Sequence, residues 1–208
     1  THTASPARAA VAAAVPIVGG DLSDGATLSL AVTVLGAVGT PVTRAGARAG
    51  DAVWVTGRLG GPGRAVAAWQ RGEAPAPGDR LRFASPAARL REAVWLASAG
   101  VTAMIDISDG LGGDLGHIAA ASGGRVMFDL DRIPCVPGAT PEEAAASGEE
   151  YELACTGPAT LDAAAFERAF GVPLTRVGFV EAAGRPSVVA ERRGAVVALP
   201  KGFTHFAR

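Results

Sequence analysis

The 208-residue sequence has little cysteine, few aromatic residues and no marked excess of charge of either sign. Cys135 and Cys155 lie at no metal-ligand spacing, so a disulfide scaffold is excluded, and we expect two core thiols in a reducing compartment. Nineteen basic and twenty acidic residues give a net charge of −1, and aromatic residues make up 5% of the chain. This composition argues against a dedicated nucleic-acid-binding protein.

The sequence also lacks a run of apolar residues long enough to span a membrane. The nearest approach, residues 9–18, is rich in alanine and is interrupted by Pro16. The chain starts at Thr1, and no charged segment precedes an apolar one, so we expect no intact signal peptide and a cytoplasmic location. Either the chain has been processed or its beginning is missing.

The first forty residues have a pattern of their own. Residues 5–14 predict the end of an alanine-rich helix, and residues 15–18 predict a short buried strand. Leu28, Leu30, Val32 and Val34 alternate with smaller or polar residues over positions 28–35, which predicts a longer strand. Residues 36–41 are the best candidate for a boundary.

Beyond this boundary, strand patterns alternate with helix patterns, which predicts an α/β (α+β) fold with a mixed sheet. The predicted strands are residues 52–56, 102–107, 125–130, 152–156, 175–180, 187–190 and 195–199. The predicted helices are residues 64–70, a helix opening at Ser85 and closing at Gly100, residues 111–121, a short helix capped by Thr140, and residues 161–170. Residues 57–63 are interpreted as a glycine-rich turn and residues 72–79 as a surface connection.

The most informative motif is IDISDG at residues 105–110. Because side chains alternate along a strand, Ile105 and Ile107 should enter the core while Asp106 and Ser108 emerge together on the other face. Asp109 follows at the turn into the next helix. Hard oxygen donors beside a helix N-terminus are typical of a site for Mg²⁺ and phosphate. On spacing alone, an aspartate helix cap explains this motif equally well.

A second carboxylate, Asp21, follows an apolar segment and two glycines, Gly19 and Gly20, which would let the backbone approach a ligand closely. A turn aspartate would explain Asp21 alone. Two such sites in one chain favour a shared function.

Seven segments, in this order, resemble thiamine-monophosphate kinase over essentially the whole chain. They are residues 19–21 (GGD), 43–51 (TRAGARAGD), 55–57 (VTG), 105–111 (IDISDGL), 114–118 (DLGHI), 147–153 (SGEEYEL) and 201–206 (KGFTHF). The resemblance implies an ATP-dependent kinase that converts thiamine monophosphate to thiamine diphosphate, within the aminoimidazole ribonucleotide synthetase-like superfamily. It implies that residues 1–37 are the tail of an N-terminal ATP-binding domain and that residues 41–208 are the C-terminal domain.

Site residues follow from the same resemblance. Mg²⁺ would be bound by Asp21, Asp106 and Asp109, of which Asp106 and Asp109 lie at the reaction centre. ATP would contact Gly20, Asp21, Arg44 and Ser108, and the thiamine substrate would contact Glu149 and Phe203. The family pattern differs at five positions, namely Leu22, Asp24, Ser147, Glu150 and Thr204.

Further magnesium aspartates of the family lie outside these 208 residues. We therefore expect a homodimeric enzyme whose C-terminal two-thirds is present here and has little activity alone. The alternatives are a related ATP-dependent synthetase, of the aminoimidazole ribonucleotide or selenophosphate type, or a non-catalytic binding module.

Phosphoryl transfer to a phosphate fits the residue types present. The acceptor oxygen is already ionised near neutral pH, since the second pKa of a phosphate monoester is about 6. Catalysis then requires positioning and neutralisation of charge rather than a general base. His117 is accordingly interpreted as a packed or capping residue, and Arg80, Arg82, Arg89 and Arg91 as a solvated face.

Overall fold

A computed structural model describes residues 10–11, 13–21 and 23–203. The chain divides into two compact units, Thr1–Pro41 and Val42–Arg208, which are described separately. No helix within the described residues is long and apolar enough to cross a membrane.

The first unit does not contain the strands that the sequence predicts. Residues 15–18 and 28–35 are not in strands. Leu28 and Val32, which would lie on the inner face of the predicted strand, are both exposed, Leu28 completely and Val32 to 69%. A strand needs a neighbour to satisfy its N–H and C=O groups, and no described segment pairs with either stretch. The predicted helix over residues 5–14 falls largely outside the described residues, although Ala10 and Val11 are helical.

Within residues 42–203, the second unit is built on one mixed sheet of seven strands. In chain order they are β1 (Ala52–Thr56), β2 (Ala103–Asp106), β3 (Arg125–Asp129), β4 (Leu153–Gly157), β5 (Leu174–Glu181), β6 (Ser187–Arg192) and β7 (Ala195–Val197). Their order across the sheet is β2-β4-β1-β5-β3-β6-β7. Only β3 and β6 pair in parallel. The predicted mixed α/β fold is confirmed, and each predicted strand of this unit is found within two residues at either end.

Six α-helices accompany the sheet in the described part of this unit. They are α1 (Gly61–Gln70), α2 (Pro77–Ala84), α3 (Leu90–Ser98), α4 (Leu111–Ser122), α5 (Pro141–Ala146) and α6 (Ala163–Phe170), and a short 3₁₀ helix spans Leu130–Arg132. The predicted capping box of α5 is present, with reciprocal hydrogen bonds between Thr140 and Glu143.

The region between α1 and α3 departs from the prediction. A surface connection was expected through residue 79, but α2 begins at Pro77, with Asp79 in its first turn and Phe83 packed edge-on against Trp69 of α1. The next helix begins at Leu90 rather than Ser85. The residue before it, Arg89, has a non-helical backbone conformation, and its side chain donates to Glu92 and Glu152. Both departures from the prediction therefore coincide with contacts between elements.

The sheet separates two hydrophobic cores. Along β1, Val53 and Val55 enter one core while Trp54 enters the other, as the alternation of a strand requires. The larger core packs against α4 and α5 and the smaller against α3 and α6. Both cysteines are free thiols. Cys155 is fully buried in the smaller core, and half-buried Cys135 packs against the larger.

Two carboxylates, Glu150 and Glu152, are almost completely buried beside the ends of β1 and β4. Arg89 donates to Glu152 through Nε at 2.8 Å and through a terminal nitrogen at 2.6 Å. Arg82 lies 3.4 Å from the Glu150 carboxylate and 3.6 Å from that of Glu152. These four side chains, here called the buried ion cluster, correct the prediction of a solvated arginine face. Arg80 and Arg91 are exposed as expected.

Neighbouring groups supply further hydrogen bonds to the two carboxylates of the cluster. Glu150 Oε1 accepts from the Gly60 N–H at 2.5 Å and from the Ser147 hydroxyl at 2.6 Å. Glu152 Oε2 accepts from the Thr56 hydroxyl at 2.7 Å. Burial raises the pKa of Glu150, and its hydrogen bonds and Arg82 oppose that shift. The cluster therefore joins the segment after β1 to residues 147–152, which lead into β4.

Replacing Glu152 tests this connection. Glu152→Ala leaves Arg89 partly buried without its main partner, so we expect a loss of about 3–5 kcal/mol in the free energy of unfolding. Urea denaturation followed by circular dichroism measures the change. The matched control is Glu73→Ala, which removes an exposed partner of Arg71 and should leave the midpoint unchanged. Equal midpoints for the two variants would contradict a structural role for the buried ion cluster.

Candidate functional site

The motif at residues 105–110 forms a polar turn where β2 ends. Ile107 is fully buried in the larger core, and Ile105 packs against that core. Asp106, the last residue of β2, is exposed, and Ser108 and Asp109 are half-buried. The alternation predicted from the sequence is therefore present. It leaves three oxygen-bearing side chains at the carboxyl end of one strand.

The N–H groups of this turn point to one buried carboxylate. Asp114, in the first turn of α4, is 1% exposed, and its Oδ2 atom accepts from the N–H of Ser108 at 3.0 Å and of Asp109 at 3.1 Å. Burial is the main reason that the pKa of Asp114 rises to about 6. The two backbone hydrogen bonds lower this pKa, and the nearby charges of Asp109 and Asp106 raise it.

The carbonyl groups of the turn accept hydrogen bonds from two flanking segments. The N–H of Tyr151 donates to Ile107 at 2.9 Å, and the N–H of Glu149 donates to Ser108 at 2.9 Å. From the other side, the N–H of Phe203 donates to the carbonyl of Asp109 at 2.8 Å. Two of the predicted substrate residues, Glu149 and Phe203, are thereby fixed beside the turn through their own backbones.

Glycine residues allow both flanking segments to lie close to the turn. A Cβ at Gly148 would lie 2.6 Å from the Ser108 carbonyl oxygen, and one at Gly202 would collide with the carbonyl of Asp109. Any larger residue at either position would push its segment away from the turn.

Glu149 and Tyr151 both adopt left-handed backbone conformations, with φ of 58° and 52°. The Tyr151 hydroxyl donates to Glu149 Oε2 at 2.9 Å, and this hydrogen bond is the main reason that the pKa of Tyr151 is raised. Left-handed conformations are costly for residues other than glycine. The backbone hydrogen bonds to the turn and the buried ion cluster on either side of Tyr151 hold them in place.

An open cavity of about 510 Å³ lies over the turn. It brings together four of the predicted site residues, Arg44, Asp106, Ser108 and Asp109. Its complete lining is Thr43, Arg44, Met104, Ile105, Asp106, Ser108, Asp109, Asp114 and His117. The cavity thus combines one guanidinium group with three carboxylates, two hydroxyls and an imidazole. Phosphate groups together with a hard divalent cation suit such a lining.

Two predicted site residues, Gly20 and Asp21, belong to the first unit. Both are exposed, and Asp21 accepts a hydrogen bond from the Ser23 hydroxyl at 3.4 Å. Their assignment to the nucleotide and metal site stays a prediction.

Ligand atoms of Asp109, Asp114 and His117 lie within 4.8 Å of one another, so these side chains could converge on one cation. His117 is exposed and lines the cavity, so the prediction of a packed residue is wrong, while the alternative of a capping residue stays a prediction. The sequence reasoning also gave Asp114 no role. The sequence pattern that could have identified Asp114 is an aspartate at a helical position whose neighbours on the same face, Leu111, Leu115 and Ile118, are apolar and buried.

Comparisons of the sequence and the fold with known proteins identify the family of this chain. The sequence model described as "AIR synthase related protein, C-terminal domain" matches residues 48–191. The thiamine-monophosphate kinase of Rhodopirellula baltica is 38% identical, over 92% of this chain and 59% of that protein.

Two solved structures share the fold. The crystal structure of thiamine-monophosphate kinase from Stenotrophomonas maltophilia K279a aligns with a TM-score of 0.65 at 31% identity, over 75% of this chain and 54% of that chain. A structure of AaThiL complexed with AMPPCP and TMP aligns with a TM-score of 0.63 at 29% identity, over 79% of this chain and 54% of that chain.

The chain therefore spans 59% of the curated relative and 54% of each solved chain. Since the family model covers well over half of its residues, the chain belongs to the AIR synthase related family through the C-terminal domain and is similar there to thiamine-monophosphate kinases.

Proposed function

We propose that the protein carrying this chain transfers the γ-phosphoryl group of ATP to thiamine monophosphate and forms thiamine diphosphate in a magnesium-dependent reaction. The observation that carries the proposal is the cavity in which Arg44 faces the aspartates of the turn after β2. Similarity to thiamine-monophosphate kinases, one of them complexed with AMPPCP and TMP, supports both substrates.

Arg44 and Ser108 are assigned to the nucleotide, together with Gly20 and Asp21. The guanidinium group of Arg44 offers hydrogen bonds in a planar arrangement that matches two phosphate oxygens. Arg44 is exposed in a segment held close to the site, since the carbonyl of Thr43 accepts from the N–H of Met104 in β2 at 3.0 Å. Ser108 contributes a hydroxyl from the cavity floor.

Asp106 and Asp109, with Asp21, are assigned to Mg²⁺. Their carboxylates are hard oxygen donors, and Mg²⁺ usually takes one or two of these while retaining water and phosphate ligands. The donor chemistry of the turn therefore fits the ion. When bound, Mg²⁺ would neutralise the charge that spreads over the transferred phosphoryl group.

Glu149 and Phe203 are assigned to the thiamine moiety, which carries a positively charged thiazolium ring. The Glu149 carboxylate complements that charge, and Phe203, 64% exposed, offers an aromatic face for it. Tyr151 holds the Glu149 carboxylate through its hydroxyl. Because both substrate residues are tied by their backbones to residues 108–109, acceptor and metal positions are set by one short turn.

The acceptor phosphate is ionised at neutral pH, so the residues of the site need not remove a proton. Their task is to align two polyanions and to offset the repulsion between them. Arg44 contributes a fixed cation, whereas the aspartates act through the metal they would hold. No general base is assigned to His117.

The activity is proposed for the whole protein, since relatives extend well beyond the matched region. We propose that residues 1–37 belong to the ATP-binding domain and that the 208 residues alone turn over little substrate. A homodimer in the cytoplasm is part of the same proposal.

Substitution of Asp106 tests the proposal that this residue binds Mg²⁺. In the complete protein, Asp106→Asn should reduce magnesium-dependent formation of thiamine diphosphate by about 10²-fold or more, because a charged donor to the cation at the reaction centre is lost. The rate is measured by chromatography of the product at saturating ATP. The matched control is Asp131→Asn, which neutralises an exposed aspartate that pairs with Arg192. Similar losses in both variants, or none in either, would contradict the assignment.

Substitution of Glu149 tests the proposal that this residue contacts thiamine monophosphate. Glu149→Gln removes the charge that faces the thiazolium ring but keeps an acceptor for the Tyr151 hydroxyl. The KM for thiamine monophosphate should rise about tenfold, while the KM for ATP should stay near its original value. The exposed Glu167→Gln serves as control. A rise in the KM for ATP alone would place Glu149 on the nucleotide side instead.

A further inference from the structure

Asp114 is buried at the start of α4, where a carboxylate would otherwise be expected to lie in solvent. Its side chain lies on the inner stripe of the helix with Leu111, Leu115 and Ile118, all fully buried. Burying an ionisable group costs free energy unless its hydrogen bonds are supplied by the protein. Here the hydrogen bonds to the Asp114 carboxylate come from the backbone N–H groups of Ser108 and Asp109.

These two hydrogen bonds complete the backbone of the turn. The N–H of Ile107 donates to the carbonyl of Glu152 at 2.8 Å, and the three carbonyls of residues 107–109 accept from Tyr151, Glu149 and Phe203. The N–H groups of Ser108 and Asp109 are the remaining polar groups, and Asp114 accepts both. All six backbone polar groups of residues 107–109 are therefore paired.

A fully paired backbone leaves the turn little freedom to rotate. Ser108 and Asp109 of this turn, and Asp106 directly before it, have side chains that line the cavity. Without the Asp114 carboxylate, two adjacent N–H groups would lose their acceptor, and a change of peptide orientation would reorient the side chains on either side. Outer groups that orient the ligands of a metal site commonly change metal affinity 10- to 100-fold when removed, as a rough guide.

Building on the proposed function, we propose that Asp114 is a positioning residue of the magnesium and nucleotide site, acting as a hydrogen-bond acceptor for the Ser108 and Asp109 amides and not as a metal ligand. The Oδ2 atom already accepts two hydrogen bonds from the turn, and these hold the backbone that carries Ser108 and Asp109. The competing role is direct ligation with Asp109 and His117, whose ligand atoms lie nearby.

Asparagine separates the two roles, because it keeps an acceptor oxygen and loses the charge. Amide hydrogen exchange, measured by NMR on the 208-residue chain, reports the two hydrogen bonds directly. In Asp114→Ala the amides of Ser108 and Asp109 should exchange roughly tenfold faster, whereas Asp114→Asn should keep their protection. The amide of Ile107, which donates to Glu152, is the internal control for general loosening.

Binding of Mn²⁺, a paramagnetic substitute for Mg²⁺, is then titrated by electron paramagnetic resonance. The apparent Kd should rise about 10- to 100-fold in Asp114→Ala and stay close to wild type in Asp114→Asn. Asp162→Ala is the matched control, since Asp162 caps α6 by accepting from the Ala165 N–H. It should change neither the Mn²⁺ affinity nor exchange at residues 108 and 109.

Each outcome bears on one proposal. Unchanged exchange and affinity in Asp114→Ala would overturn the positioning role, and so would weakened Mn²⁺ binding in an Asp114→Asn variant that keeps its amide protection. If Asp114→Ala does not fold, a folded Asp114→Asn variant with fast exchange at residues 108 and 109 also overturns it. Absence of Mn²⁺ binding by the wild-type chain contradicts the proposed function instead, while the exchange measurement still tests the hydrogen bonds.

Discussion

The arrangement of the candidate site depends on satisfying the backbone of one short turn, residues 107–109. Its N–H groups are taken up by Glu152 and Asp114, and its carbonyl groups by residues 149, 151 and 203. Because buried backbone groups must find partners, these contacts fix three segments that are distant in sequence. The buried ion cluster extends the constraint, since Glu150 and Glu152 hold the chain on either side of Tyr151. These contacts thereby hold the three segments together around the candidate site.

Local patterns predicted much of this architecture. Local strand patterns predicted the strands of the second unit, and alternation along residues 105–108 placed Ile107 in the core and Asp106 at the surface. The motif at residues 105–110 and the capping box at Thr140 depend on near neighbours in the chain, which a sequence displays directly. Arg44 joined the aspartates of the turn only through family resemblance, because no spacing rule brings residues 44 and 106 together.

Other features depend on partners that are far away in sequence. Arg82 and Arg89 have the composition of a solvated face, and only the fold shows that Glu150 and Glu152 are buried opposite them. Asp114 gains its role from a turn that folds back onto its own helix. The strands expected at residues 15–18 and 28–35 fail for the converse reason, since alternation marks a potential strand but no described segment pairs with either. In α2, Phe83 likewise packs against Trp69 of another helix, a contact that local sequence patterns do not show.

The proposed phosphoryl transfer needs no individual side chain to act as a base, but it depends on how the side chains of the cavity are arranged. An ionised acceptor phosphate needs no base, so a cavity of carboxylates and one arginine suffices if a cation bridges it to the nucleotide. If the proposed function is right, this cavity binds a nucleotide through magnesium. Isothermal titration calorimetry of the 208-residue chain with AMPPCP, in excess Mg²⁺ and again after chelation with EDTA, measures that binding. We expect heat of binding that appears with Mg²⁺ and disappears with EDTA; no binding with Mg²⁺, or equal binding in both conditions, would contradict magnesium-dependent nucleotide binding.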